Sequence, residues 1–167
     1  FIADTLKTDH GGTAYAQFAA LLMAKLAVED NDLELATREL EWVIEQGPDY
    51  SIEVIARIRL ARVLLAGQRR DDALAQVEQL DAGAHESSRQ ELLGDIYMAL
   101  DRHEDAREAY QAALDGVVEG SNKPFLEMKL RDVPAVAMAP AVSSESSEEG
   151  AADQASGDAG DDAGTGS

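Results

Sequence analysis

Leu93-Gly94-Asp95-Ile96-Tyr97, followed by Ala106 and then Tyr110, is the stretch that decides how this 167-residue chain folds. Apolar residues recur there every three or four positions, the spacing of an amphipathic helix, and Gly94 stands near the middle of one such run. Ala106 and Tyr110 are four residues apart in the next run and so share a helix face. A small residue at 94 lets two antiparallel helices approach closely, and Tyr110 fills the space beyond.

The pattern returns upstream. Leu33-Glu34-Leu35-Ala36-Thr37-Arg38-Glu39-Leu40 and Asp71-Asp72-Ala73-Leu74-Ala75-Gln76-Val77 each carry an Ala followed four residues later by Leu or Val. Ala36, Ala73 and Ala106 are separated by 37 and 33 residues. Met23-Ala24 and Leu60-Ala61 stand where Leu93-Gly94 stands in the last unit. Helical spacing runs from Thr13 to Gly116 without strict alternation, so the expected class is all-α. Asp30-Asn31-Asp32, Gly47-Pro48, Gly67, Gly83 and Gly116 punctuate it, each Gly an expected left-handed cap just past a helix end. The spacing predicts helices near 13–29, 32–46, 51–66, 69–81, 86–99 and 102–115. It adds a short N-terminal helix at 1–9 and a closing helix at 124–131, where Pro124 suits a first turn.

Three such units resemble tetratricopeptide repeats, whose signature is a Leu-Gly pair, an aromatic, an Ala and a second aromatic. Residues 87–118 match through Leu93, Gly94, Tyr97, Ala106 and Tyr110. Residues 54–85 match at Leu60, Ala61, Leu64, Ala73 and Val77, and residues 17–48 at Ala36, Leu40 and Pro48, with Ala20 and Ala27 where larger residues are usual. The expected architecture is about three antiparallel helix pairs with a C-terminal capping helix over residues 1–133. Residues 134–167 are expected to form a separate acidic Ser/Ala/Gly-rich tail.

Residues 1–133 also resemble the periplasmic domain of the YfgM family, ancillary subunits of the SecYEG translocon. The resemblance rests on Thr13-Ala14-Tyr15 opening a long Ala/Leu helix and on the Arg59-Leu60-Ala61-Arg62-Val63 run. The Gly94 repeat and a closing Glu127-Met128-Lys129-Leu130 complete it. It implies a non-catalytic protein-interaction module on a single-pass inner-membrane protein, with this domain in the periplasm. The implied partners are the SecYEG translocon and a PpiD-type periplasmic chaperone. The anchor would lie upstream of Phe1, in a longer chain of which this is a piece. The alternatives are a soluble cytoplasmic tetratricopeptide scaffold with unrelated partners, or an assembly domain of a larger enzyme.

Composition narrows the field. Lys+Arg total 14 against 33 Asp+Glu, a formal net charge of −19. That excludes a generic nucleic-acid binder, since each neutralised phosphate needs a basic side chain, and argues against docking on an anionic bilayer. The segment 141–167 holds seven acids and no base. It has almost no apolar area to offset an ordering cost of roughly 1–2 kcal/mol per residue, so it is expected to be disordered. Residues 1–140 keep 26 acids against 14 bases, a net of −12. With no cysteine, disulfides, thiolate catalysis and zinc–thiolate sites are excluded. No apolar run approaches the ~20 residues that span a bilayer.

Chemistry-bearing motifs are few. Glu29-Asp30-Asn31-Asp32-Leu33-Glu34 has the look of a calcium loop but lacks the Gly at the sixth position and the Glu at the twelfth. Asp32 as a helix N-cap beside a left-handed Asn31 accounts for it. His10, His85 and His103, expected in a loop, a loop and a helix start, have no second ligand at i+3 or i+4 and no nucleophile partner. Asp71-Asp72 and Glu104-Asp105 fall in first helical turns, where the helix dipole favours negative charge. No metal, cofactor or catalytic residue is expected.

What remains is surface. In a stack of helix pairs the first helices line the concave face, placing Phe18, Leu21, Lys25 and Val28 inward in the first unit. Ile55, Ile58, Arg62 and Leu65 follow in the second, then Ser88, Glu91, Asp95 and Met98 in the third. Ile55, Ile58 and Leu65 would each gain roughly 1.5–3 kcal/mol on burial. They are either a partner groove, contacts to a neighbouring helix, or the bed of helix 124–131. Arg57, Arg59 and Arg62 crowd one helix, either as a positive patch for an acidic partner or as a salt-bridged lattice. Phe1, Ile2 and Leu6 are expected to cap the first pair.

Overall fold

A computed structural model describes residues 2–117 and 122–134. Among these, all regular structure is helical: α1 (Ile2–His10), α2 (Ala14–Glu29), α3 (Leu33–Glu45), α4 (Tyr50–Ala66), α5 (Arg70–Val77), α6 (Glu86–Ala99), α7 (His103–Asp115) and α8 (Lys123–Asp132). A turn of 3-10 helix at Gly83–His85 leads into α6. The pairs are α2/α3, α4/α5 and α6/α7; α1 packs on α2 at one end and α8 on α7 at the other. The expected disorder of 141–167, and the side chains of Phe1 and Ile2, lie outside the described residues.

The repeat is written into the backbone turns. Asn31, Gln68 and Asp101 take φ values of 58°, 62° and 59°, each five residues before Ala36, Ala73 and Ala106. The next amide closes a six-to-one bond onto the preceding helix: Asp32 N–H to the Ala27 carbonyl at 2.8 Å, Arg69 to Leu64 at 2.8 Å, and Arg102 to Tyr97 at 2.9 Å. These are three Schellman turns, which satisfy carbonyls that a helix end leaves orphaned. The expected left-handed glycine is found at Gly47 (φ 60°) and Gly83 (φ 50°) but not at Gly67 or Gly116, which sit at the C-cap with φ of −79° and −87°. α4 and α7 end at Ala66 and Asp115 as expected, but the glycine after each keeps a negative φ, and after α4 it is Gln68 that carries the left-handed position.

The cap at Asp32 forms as expected, its carboxylate accepting from Leu35 N–H at 2.9 Å. Thr13 and Asp49 cap α2 and α4 in the same way. α5 is shorter than the predicted 69–81 span. Arg89 of α6 donates to the carbonyls of Val77 and Glu78 at 2.8 and 3.0 Å, taking over acceptors just where α5 stops.

Most buried side chains form one core through the first two pairs and into α6. Ala24 and Leu40, Ala61 and Val77, and Gly94 and Tyr110 are all buried, so a smaller residue on the first helix accompanies a larger one on the second. A smaller cluster of Ala106, Tyr110, Ala113, Leu126 and Val133 holds α8 against the third pair. α1 is secured by Lys7, whose ammonium lies 2.8 Å from Glu39 and 4.9 Å from the centre of the Trp42 ring.

Candidate functional site: a groove between α2 and α4

α2 is largely apolar, and most of its large side chains, Leu21 excepted, are on the wrong side for a core helix. Ala16, Ala20, Ala24 and Ala27 are buried, whereas Tyr15, Phe18, Leu22 and Leu26 are 79, 56, 56 and 44 % exposed. Positions 15, 18, 22 and 26 follow helical spacing and form a continuous crest. Alanines on the inner face let α2 lie close to α3 at the cost of leaving bulk outside. A contiguous exposed apolar face of this kind marks an interaction surface more often than isolated exposed residues do.

Beside that crest runs a groove of about 440 Å³. α3 packs against both α2 and α4, while α2 and α4 scarcely touch each other. The gap between them has α3 as its floor, through Leu33 and Leu40. Its walls are Ala24, Lys25, Val28 and Glu29 of α2 and Arg59, Arg62, Val63 and Ala66 of α4.

The three arginines of α4 divide in two. Arg57 binds Glu53 at 2.8 Å and Gln76 at 3.2 Å, as part of a structural lattice. Arg59 and Arg62 are exposed and, among the described residues, have neither an ion-pair nor a hydrogen-bond partner. Lys25 makes only a 3.6 Å pair with Glu29, both side chains being more than half exposed. Such a pair contributes ~0–1 kcal/mol and yields readily. The groove thus has an apolar floor and a cationic wall in a domain of net negative charge.

The third pair is arranged differently. Lys129 of α8 reaches both oxygens of Asp95 at 2.8 Å and Glu91 at 2.9 Å, with the Phe125 ring centre 4.8 Å from its ammonium. Tyr110 donates its hydroxyl proton to Asp95 at 2.7 Å, and burial, reinforced by that carboxylate, pushes its phenol well above the ordinary range. Helix 124–131 therefore closes over the third unit, on α7 and α6, and is not bedded on Ile55, Ile58 and Leu65.

Of the residues expected on the concave face, Lys25, Val28 and Arg62 line the groove and Phe18 stands exposed above it. Leu21 and Ile58 are core residues, 6 and 5 % exposed, and Leu65 packs half-buried against the same core. Ile55 is half-buried. Glu91 and Asp95 are engaged by Lys129, Met98 packs against the α8 cluster, and Ser88 is half-buried. Sequence reasoning missed the floor residues and the alignment of Arg59 with Ala66. The usable signal was the spacing of Arg59, Arg62 and Ala66, which places all three on one side of α4.

Elsewhere the structure offers capping in place of chemistry. Asp72 and Asp105 accept from Arg69 and Arg102 at 2.8 and 2.6 Å in their first turns. His10 ends α1 and is not in a loop, His85 lies in the 3-10 turn, and His103 opens α7 with a buried Nδ1 that has no hydrogen-bond partner. No group of three or more metal-ligating side chains occurs among the described residues, and none of their helices is long and apolar enough to cross a membrane.

Comparison with known proteins accords with this architecture. The chain is similar to the ancillary SecYEG translocon subunit of Aggregatibacter actinomycetemcomitans, 35 % identical over 101 residues, covering 60 % of this chain and 50 % of the relative. The subunit of the same name from Neisseria gonorrhoeae is 29 % identical over 113 residues, 67 % and 54 % of the two chains, and that of Escherichia coli 24 % over 119, 71 % and 58 %. The resemblance carried by the Arg59–Val63 run and the closing helix is thus borne out. The chain spans about half the length of these curated relatives. No solved structure matches it significantly. The family model of tetratricopeptide repeat-like domains matches residues 1–135, and with three Schellman-turned helix pairs in register the chain belongs to that family, an all-α, non-catalytic protein-interaction module.

Proposed function

We propose that this chain is the interaction domain of a translocon accessory protein. It is held at the inner membrane by an N-terminal helix upstream of Phe1, faces the periplasm, and links SecYEG with a chaperone of the PpiD type. The similarity over 101 to 119 residues to proteins named ancillary SecYEG translocon subunit carries the reading. The fold suits it. Stacked helix pairs with open faces offer extended binding surface, and the exposed crest of α2 and the groove beside it are such a surface. Residues 1–133 act as the binding unit, with the acidic stretch 134–167 as a separate appendage.

The test is co-purification of the full-length, affinity-tagged protein from cross-linked inner membranes. Recovery of translocon subunits together with the chaperone is expected, and recovery of neither overturns the reading. The gene should encode about 20 apolar residues upstream of Phe1 after a short cytoplasmic stretch. A reporter fused at Ser167 that is active only in the cytoplasm would assign the protein to the soluble-scaffold alternative.

A further inference from the structure

The geometry points to the α2–α4 surface as a docking site for an acidic amphipathic helix, with its apolar side on the α2 crest and its carboxylates on Arg59 and Arg62; this deepens the interaction-module reading and rests on it.

Two observations combine. Phe18 and Lys25 are seven residues apart, about two turns, so crest and groove wall are one continuous surface of α2. From Phe18 to Val28 this surface runs about 15 Å, three turns of a partner helix. Large apolar side chains exposed at helical spacing match the anchors of a helix laid along a groove.

Charge selects the partner. Residues 1–140 carry a net of −12, and six of the other twelve Lys and Arg are held in ion pairs of 2.6–2.8 Å: Lys7 to Glu39, Arg57 to Glu53, Arg69 to Asp72, Arg89 to Glu86, Arg102 to Asp105 and Lys129 to Asp95. Arg59 and Arg62 are uncommitted and side by side on the groove wall. Arginine presents a planar fork that binds carboxylates in pairs. Glu29 on the opposite wall already holds Lys25 loosely, a bond that an incoming carboxylate can exchange. A second copy of this chain would bring two strongly negative surfaces together, which disfavours it as the occupant.

The test uses the 167-residue chain and three fluorescein-labelled 14-residue peptides, read by anisotropy. The first has Leu at helical spacing flanked by Glu, the second replaces Glu with Lys, and the third replaces Leu with Ser. The Glu/Leu peptide is expected to bind at least tenfold more tightly than either other, against the sign of the protein's net charge. R59Q/R62Q should weaken it about tenfold, L22S several-fold, and R59E/R62E should reverse the preference towards the Lys peptide. These residues are exposed, and an unchanged helical circular dichroism spectrum confirms that the variants fold. Equal or tighter binding of the Lys peptide, no binding of the Glu/Leu peptide at millimolar concentration, or indifference to R59Q/R62Q overturns the proposal. So does sedimentation showing a dimer that L22S dissolves, which assigns the crest to a second copy. If membranes still yield the translocon while the peptides fail, only this inference falls.

Discussion

A Cβ placed on Gly94 would stand 2.5 Å from Cδ1 of Tyr110, so the tyrosine ring occupies the volume that any side chain at 94 would need. The same tyrosine donates its hydroxyl proton to Asp95, one residue on. Ring and hydroxyl together pin α7 to consecutive residues of α6.

Gly94→Ala is accordingly expected to destabilise the domain by about 1–3 kcal/mol, because overpacking outweighs alanine's better helix propensity. The second unit shows the remedy, with Ala61 and Val77 in the equivalent places. G94A/Y110V should therefore be more stable than the sum of its single changes by ~1 kcal/mol or more in a denaturant-unfolding cycle. A neutral G94A would remove the close-approach account.

Lys129 lies between two carboxylates, with side-chain exposures of 17 % for Lys129, 18 % for Glu91 and 33 % for Asp95. Lys129→Met leaves the two acids facing each other without a counter-charge, a loss of about 1–3 kcal/mol at this partial burial. Hydrogen exchange should report it first in residues 123–132. Adding E91Q and D95N to K129M should restore most of the protection, since what destabilises is the unpaired charge.

Gln68 holds φ 62°, a conformation that costs a side-chain-bearing residue roughly 1–2 kcal/mol. Its side chain accepts from Arg70 only at the exposed surface. Gln68→Gly should raise stability by about 0.5–1 kcal/mol after the added chain entropy of glycine is subtracted, visible as a higher midpoint in urea. Gly67→Gln, at the neighbouring negative φ, should not reproduce the gain.

Glu86 gives a pH-dependent prediction. Its carboxyl is held below the ordinary range, first by the hydrogen bond from Arg89, against a smaller opposing effect of burial. A lowered folded value means that the contribution is present above the unfolded value and fades as pH falls through the folded one. Glu86→Gln should lower stability at pH 7 by no more than about 1 kcal/mol, because the carboxylate is nearly half exposed. Its deficit relative to wild type should shrink on acidification below about pH 4. A deficit that stays constant from pH 7 to 3 would show that the Arg89 bond does not set this carboxyl.

Much of the fold was legible because repetition multiplies weak local signals. The Ala36, Ala73 and Ala106 register, the Asp32 cap and the left-handed Asn31 all follow from chemistry within a few residues. The end of α5 was not legible, because Arg89, donating from another helix, takes over the carbonyls at Val77 and Glu78. The groove was half legible for a related reason. α4 is apolar on nearly every side, with Ile52, Val54, Ile58, Leu60, Val63 and Leu64 all buried, so no polar face announces how it is rotated.

The helix positions other than the end of α5, their pairing and the acidic character of the chain are thus properties of the amino-acid order alone, since they depend on spacing, capping and composition. The commitment of Arg57, the freedom of Arg59 and Arg62, the burial of Leu21 and Ile58, and the closure of α8 through Lys129 were decided only by tertiary packing. Each depends on the angle at which one helix meets another. When both faces of a helix are apolar, that angle is set by the neighbours' shapes and not by the helix's own residues.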